Sequence, residues 1–282
     1  MLVAAVALCL AVDGQTDEPA YAIGAGFSID NADGMTGLIL ADLSFNDAAS
    51  LSATLGTTRA AAEPDDLATR EWSLGARYDF GPIGVEARGG QTGDPDDFDA
   101  DDLMVGIFHS GDQWRFFAQY LERDIDLSLR TTLTRDSFVV SVPLKADGVR
   151  VGASFRSKGN WRFSANHLRY DYDRDLSILG GRFIVSRLTP TTLTLATSLL
   201  EESTTVGMEI PQRGNRAVTL GASRDTLAGN LGSVDSITVG WLTPIGQRGD
   251  LDLSLGASRG DDLIGDETTV FFSALYLFYG LF

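Results

Sequence analysis

The feature that most restricts the fold of this sequence is an alternation of apolar and polar residues that runs through most of the chain. The clearest case is EWSLGARYDF, residues 71–80, in which Trp72, Leu74 and Tyr78 share one face. A period of two places successive side chains on opposite faces of a β-strand. Comparable segments follow one another from Tyr21 onward, separated by Gly, Pro, Asn and Asp, and none of them has the period of an amphipathic helix. The sequence therefore predicts an all-β protein built from many short strands.

Two all-β architectures produce such a pattern, a soluble sandwich and a membrane-spanning barrel. Many segments carry Trp, Tyr or Phe near an end of the apolar face, with Leu, Val and Ala between. That arrangement is typical of the aromatic girdles that border the lipid-facing band of a transmembrane barrel. A soluble domain of 282 residues would also be expected to contain some helix. The aromatic pattern favours the membrane barrel, with its apolar faces toward lipid.

The C-terminal stretch TTVFFSALYLFYGLF, residues 268–282, is strongly apolar and ends on an aromatic residue. So apolar an edge strand invites aggregation unless its edge is paired, and a barrel that closes on its first strand removes the edge. The stretch resembles the C-terminal strand of bacterial outer-membrane β-barrel proteins. The resemblance implies that Tyr276, Phe278 and Phe282 form the signal that the barrel-assembly machinery reads.

The N-terminal run MLVAAVALCLAV, residues 1–12, has the apolar character of a secretory signal peptide. Residues 1–19 are therefore expected to be a signal peptide with a short N-terminal segment, and residues 20–282 a single transmembrane barrel domain. The alternative for the first residues is a buried strand or helix. The single Cys9 lies in this run, so the mature chain would have no thiol, as is compatible with an oxidising compartment.

The connections between the alternating segments fall into two sets. Longer and more acidic connections alternate with short turns such as Gly81–Pro82. In outer-membrane barrels the short turns are periplasmic and the long loops extracellular, which requires an even number of strands. The segments predict a closed antiparallel transmembrane β-barrel of about 18 strands, with 16 as the alternative, and a periplasmic C-terminus.

A barrel of this size leaves an aqueous lumen, and on that ground the chain resembles the porin class of outer-membrane channels. Charged residues on the polar faces are then expected to line the pore. The ten pore-lining candidates are Arg77, Arg88, Arg115, Arg130, Arg150, Arg156, Arg162, Arg182, Glu71 and Glu86. Further acids on the same polar faces of the predicted strands are Asp79, Asp126, Glu209 and Asp252. The porin resemblance implies a row of arginines that faces an acidic loop across the constriction. The alternative is that Arg–acid pairs only satisfy a polar interior.

An acidic stretch follows the fifth predicted strand. Its six members are Asp94, Asp96, Asp97, Asp99, Asp101 and Asp102. By position it resembles the loop that folds into the pore of general porins. Two alternatives stay open: a site for hard divalent cations, although the Gly spacing of a Ca²⁺ loop is missing, and plain surface acidity that divalent ions bridge to lipopolysaccharide.

Enzymes also occur among outer-membrane barrels, and lipid hydrolases of this kind need a Ser–His pair. The two histidines are His109 and His167. Ser110 is adjacent to His109, and Ser164 lies an odd number of residues from His167, so each pair falls on opposite faces of a strand. No Cys/His metal cluster is visible. We therefore expect no enzymatic activity, no cofactor and no metal; a structural or assembly barrel with a filled lumen is the third alternative.

The expected function is that of an outer-membrane channel for passive diffusion of small hydrophilic solutes or ions. Its expected partners are outer-membrane lipid and lipopolysaccharide, the assembly machinery, the solutes themselves and, as is common among porins, two further copies in a homotrimer. A formal net charge of −17 argues against nucleic-acid binding. Leu127, Leu195 and Leu253 are expected on the lipid face.

Overall fold

A computed structural model describes residues 20–46, 48–60, 67–94, 98–133, 136–174, 199–230, 232–260 and 268–281. Within these ranges fourteen strands form one closed antiparallel barrel in which neighbours in sequence are neighbours in space. In chain order they are β1 Ala20–Asp30, β2 Met35–Ser44, β3 Ala49–Ala60, β4 Leu67–Asp79, β5 Ile83–Asp94, β6 Phe98–Ser110, β7 Trp114–Leu133, β8 Asp136–Arg156, β9 Arg162–Tyr172, β10 Leu200–Pro211, β11 Ala217–Leu227, β12 Gly232–Pro244, β13 Gly249–Gly260 and β14 Thr268–Leu281. A short 3₁₀ turn, Ala228–Asn230, follows β11.

The barrel closes where the first and last strands pair. The register of β1 with β14 runs from Ala20 opposite Leu281 to Asp30 opposite Phe271. On its other side β1 pairs with β2 over ten residue pairs, Ala20 opposite Ser44 to Ile29 opposite Met35. The apolar final strand therefore has no open edge, which removes the aggregation hazard of an unpaired strand. The predicted fold class is confirmed.

The predicted count of about 18 strands, or 16, was wrong, because the stretch around Arg123 and Asp124 does not turn. It lies inside β7, a strand of 20 residues, and pairs with β8, a strand of 21 residues. In this pairing Arg123 stands opposite Ala146, and Asp124 opposite Lys145. Part of the predicted count also falls on residues 175–198, which lie outside the described residues.

The two ends of the barrel differ as the connection lengths predict. Both described termini lie at one end, together with the turns at residues 80–82 and 245–248. Gly81 has φ 83° and Gly246 has φ 68°, a left-handed backbone that favours glycine in tight turns. The even number of strands is thus confirmed.

The outer surface carries the apolar halves of the strands. Trp72, Leu74 and Tyr78 are exposed there, as the alternation predicts. Aromatic rings gather near the turn end, where the ring centroids of Trp114 and Phe155 lie 4.6 Å apart. Such a ring of aromatics marks a membrane interface. Among the described residues, no helix is long and apolar enough to cross a membrane.

The upper part of β7 corrects two placements. Leu127, expected on the lipid face, is 5% exposed and points inward, while Asp126, expected inside, is exposed on the outer surface. Because β7 is one strand, its odd-numbered residues keep the inward direction of Arg115 throughout. Leu253 stands opposite the exposed Trp241 on the outer face, as expected, and Leu195 lies outside the described residues.

Candidate pore lining

The strand register fixes which residues share the inner face. Directly opposite Cα partners in antiparallel strands point to the same side of the sheet. Following the partners of Arg115 in both directions gives Ser110 on β6, Ser154 on β8 and Ser164 on β9. The inner wall is thus polar where the outer wall is apolar.

Arginines concentrate on one side of this inner wall, strands β4 to β9. Those at inward positions are Arg77, Arg88, Arg115, Arg123, Arg150, Arg156 and Arg162. All but Arg123 are among the ten candidates, and Arg123 is an inward arginine that the alternating segments did not single out. The side chain of Arg130 lies outside the described part of the chain, so its place in the pore stays a prediction. Arg182 lies outside the described residues.

At the turn end of the lumen, arginines are held by acids and by an aromatic ring. Arg77 makes two hydrogen bonds to the carboxylate of Asp79, each 3.1 Å long. Its guanidinium carbon also lies 3.9 Å from the ring centroid of Phe108, and that of Arg115 lies 5.0 Å from the same centroid. Arg162 pairs with Glu209 at 3.4 Å across the β9–β10 boundary. These contacts fix guanidinium groups against the wall.

Farther from the turn end, the lumen contains two arginines that form no ion pair with an acid in the described part of the chain. Among the described residues, neither Arg88 nor Arg150 has an ion pair or a side-chain hydrogen bond. Glu86 is electrostatically coupled to Arg150, and Glu71 to Arg88. However, the Glu86 carboxylate accepts its hydrogen bond from Gln119, at 2.7 Å. The Arg88 and Arg150 guanidinium groups therefore keep donors for water or solute.

The opposite side of the lumen, strands β10–β14 and β1–β3, is lined mainly by neutral residues: serines and glycines on most strands, and leucines where β2 and β14 flank β1, namely Leu38, Leu40, Leu275 and Leu277. Ser254 and Ser273 lie within hydrogen-bond distance at 2.5 Å, and Ser223 and Ser236 at 2.7 Å. Among the described inward positions of these strands there is no arginine or lysine. Asp42 and Asp252 are acids of this side. Acids such as Glu71, Asp79 and Glu86 also stand among the arginines, so the two sides differ in their arginines rather than in their acids.

Inward aromatic rings lie flat against glycines of the neighbouring strand, an arrangement that alternation alone does not reveal. Phe108 covers Gly84, and Phe117 covers Gly152. A Cβ on either glycine would overlap the ring that covers it. Because each ring fills the space of a missing side chain, it occupies little of the lumen.

The acidic stretch is strand rather than an inward loop. β5 extends to Asp94 and β6 begins at Phe98, which leaves only residues 95–97, outside the described residues, between them. Three residues span at most about 10 Å and cannot fold across the lumen, so the resemblance to a constriction loop fails. Asp99 and Asp101 are exposed on the outer surface. Asp102 points inward and accepts hydrogen bonds from Arg123 at 2.5 and 3.0 Å. Asp96 and Asp97 fall on the undescribed residues.

The histidines lie on the outer face. His109 is exposed while Ser110 points inward, and Ser164 is likewise on the face opposite to His167. The Nδ1 atom of His167 lies 2.9 Å from the Thr204 hydroxyl and 3.9 Å from Glu202. Both partners approach the same ring nitrogen, whereas a relay of the Ser–His–Asp kind needs one partner on each nitrogen. Within the described part of the chain, no group of three or more His, Cys, Asp or Glu is placed to hold a metal ion.

The residues of the assembly signal lie at the turn end of the outer face. Tyr276 and Phe278 are exposed there, and the ring of Phe278 lies 6.2 Å from that of Tyr21. Phe282 lies outside the described residues. Their role in assembly stays a prediction.

Comparison with known proteins places the chain among outer-membrane barrels. The model of a family described as Gram-negative porin matches residues 11–197. A loop-deletion variant of OmpT, an outer membrane protein of Vibrio cholerae, aligns with a TM-score of 0.52 at 7% identity, over 93% of this chain and 98% of that one. The CymD monoaromatic hydrocarbon channel aligns with a TM-score of 0.56 at 10% identity, over 95% and 89%.

A third solved structure, CdiB from Acinetobacter baumannii, has a TM-score of 0.50 at 12% identity, over 93% of this chain and 60% of that one. At such identities the likeness shows the barrel fold alone. A search of curated proteins finds no match to this sequence.

Proposed function

Because the chain belongs to the Gram-negative porin family, we propose that it is an outer-membrane channel through which small hydrophilic solutes diffuse passively. The observation that carries this proposal is the inner wall of the closed barrel. One side presents arginines, among them Arg88 and Arg150, which make no ion pair within the described residues, and the other presents mostly serine, threonine and glycine, with leucines on β2 and β14. Such a wall suits water and polar solutes.

The size of the barrel supports an open lumen. With strands 4.7–4.9 Å apart and tilted by 35–45°, a 14-stranded barrel has a backbone diameter of about 28 Å. Side chains from both walls leave roughly half of that width, since the glycine-backed rings of Phe108 and Phe117 lie flat. Barrels of eight strands, by contrast, are filled by their own side chains.

Two features support a hydrophilic solute and a function without catalysis. CymD is named for monoaromatic hydrocarbons, but the wall around Arg88, Gln119 and Arg150 is charged and polar. A lipid hydrolase would need a nucleophile and base in relay, and the contacts of His167 do not form one. We also propose that divalent ions bridge the exposed Asp99 and Asp101 to lipopolysaccharide. In addition, we propose that the barrel-assembly machinery recognises the chain and that the protein forms a homotrimer.

Solute uptake into proteoliposomes tests this function. We expect liposomes that contain the folded barrel to swell in isotonic solutions of small sugars and amino acids, at rates that fall as the solute grows. Liposomes prepared with the same protein after heat unfolding serve as the control. Rates equal to that control, with the barrel shown to be folded by its heat-modifiable migration, would contradict the proposal.

A further inference from the structure

The barrel contains an apolar cluster at the end opposite to the short turns. Its members, here called the mouth cluster, are Phe98, Ala100, Ile125, Leu127, Leu144, Leu199, Leu227 and Ala228. Each is between 1% and 5% exposed. Those of β6 and β11 lie at strand ends, whereas Ile125, Leu127 and Leu144 lie in the middle of the long strands β7 and β8, at the level where β6 begins; Leu199 precedes β10 and Ala228 follows β11. Inner-face residues of a plain barrel wall would instead border the water-filled lumen.

The mouth cluster lies beyond the membrane. A transmembrane strand needs about 9–11 residues, and β7 has 20, so its second half projects past the lipid. The outer face of this half is charged: Asp124 and Asp126 are exposed, and Asp124 pairs with Lys145 at 3.1 Å. That pairing, through its hydrogen bond first and its opposite charge second, raises the pKa of Lys145. The alternation thus inverts here, with charge outside and apolar residues inside, as in a protein surrounded by water.

The cluster requires strand ends to converge over the lumen. Strands β8 and β11 are three positions apart, which corresponds to about 17 Å between their backbones in a regular 14-stranded barrel. Side chains reach across such a gap only if the strand ends lean inward. Hydrogen bonds fix this arrangement above the end of β9: the Tyr172 hydroxyl donates to the carbonyl of Leu200, and the amide of Ala228 to that of Leu199, each at 2.8 Å. Burial raises the pKa of Tyr172, as expected for a hydroxyl inside a packed region.

We propose that the mouth cluster is the size filter of this channel. The inference rests on the proposed function, and it names where the passage is narrowest. Solutes enter through the part of the mouth that the cluster leaves open, along the strands that do not contribute to it. All members of the mouth cluster lie in strands or directly beside them, so the described part of the filter belongs to the barrel wall itself. An apolar constriction also resists wetting, which strengthens the exclusion of hydrated solutes.

A double substitution on the inner face tests the filter. In the Leu127→Ser, Leu144→Ser variant, smaller and polar side chains loosen and wet the cluster. The matched control is Asp126→Ser, Lys145→Ser, which changes the adjacent residues of the same two strands on the outer face. If the cluster closes a third or more of the mouth, we expect the inner-face variant to raise single-channel conductance by about 1.5-fold or more. It should also admit larger polyethylene glycols, while the control keeps wild-type values.

A milder variant keeps the test decisive if the double variant does not fold. Tyr172→Phe removes only the hydroxyl that ties the end of β9 to the start of β10, and we expect a smaller increase of conductance in the same direction. Wild-type conductance and wild-type polymer exclusion in the folded variants would overturn the filter and leave the channel function intact. If neither the folded wild type nor the folded variants conduct, the proposed function itself fails.

Discussion

Substitution of Gly84 by alanine tests whether the inner aromatics depend on glycines across the strand boundary. A Cβ there would overlap Cζ of Phe108 and stand 2.5 Å from its Cε2 atom and from Oδ1 of Asp79. The ring would have to turn into the lumen. Phe108 is 3% exposed, so it would lose about 1.5–3 kcal/mol of apolar burial. Its cation–π contact with Arg77, at 3.9 Å, contributes about 0.5–2 kcal/mol more.

We therefore expect Gly84→Ala to lower the free energy of unfolding by about 2–5 kcal/mol. It should also lower the conductance, because the displaced ring narrows the lumen. Urea titrations of the barrel in lipid, followed by tryptophan fluorescence, measure the first effect, and planar bilayers the second. Gly89→Ala is the control, since the nearest atom to its added Cβ, the carbonyl oxygen of Asp102, is 3.9 Å away. Equal stability of the two variants would refute the reasoning, and Phe108→Ala in the Gly84→Ala background should restore the conductance.

Three further predictions concern the lumen, the lipid face and assembly. Arg88→Glu with Arg150→Glu should shift the reversal potential in a salt gradient toward cations, because neither arginine makes an ion pair within the described residues and a pore with low-dielectric walls focuses the field; Arg169→Glu, at an exposed outer-face position opposite Val149, should not, and an unshifted potential in the double variant would remove both arginines from the conduction path. Leu74→Arg places a charge on an outer position that is 59% exposed and should cost about 2–4 kcal/mol in urea titrations, so an unchanged midpoint would mean that this face does not meet lipid. Deletion of Phe282 should lower the yield of the heat-modifiable folded band in outer membranes, and an unchanged yield would exclude a role for it in assembly.

The part of the fold inside the membrane follows from the sequence. Lipid on one side and water on the other impose a strict alternation, so Trp72 and Leu74 could be assigned outward, and Arg77 and Arg88 inward, without coordinates. Closure was also predictable, because only a paired edge makes so apolar a last strand tolerable.

The part beyond the membrane could not be predicted by the same rule. There the outer face meets water, so polarity no longer marks the outside, and Leu127 was assigned to the wrong face. The charged residues Arg123 and Asp124 interrupt the apolar–polar alternation in the sequence, although in the structure they continue one strand: the first binds Asp102 inside and the second pairs with Lys145 outside. A correct assignment of these residues requires the pairing register of β7 and β8. Contacts between specific residues fix that register, and it cannot be read from the composition of the strands.

The pairing of aromatics with glycines escaped prediction for a related reason. The alternation assigns Phe116 to the outer face and Phe117 to the face of Arg115, but it does not show where the Phe117 ring finds room. The answer depends on Gly152, which lies opposite Phe117 and leaves room for its ring. Sequence alone shows that glycines are abundant, 31 in the chain, but not which ring each one supports.

Single-channel recording of the purified wild-type barrel in a planar bilayer tests the central claim, a water-filled pore, most directly. The folded, heat-modifiable form should produce discrete and stable steps whose conductance rises with salt concentration, and the heat-unfolded form none. If folded protein that has inserted into the bilayer produces no steps at any voltage or salt concentration, the lumen does not conduct and the porin function proposed here is contradicted.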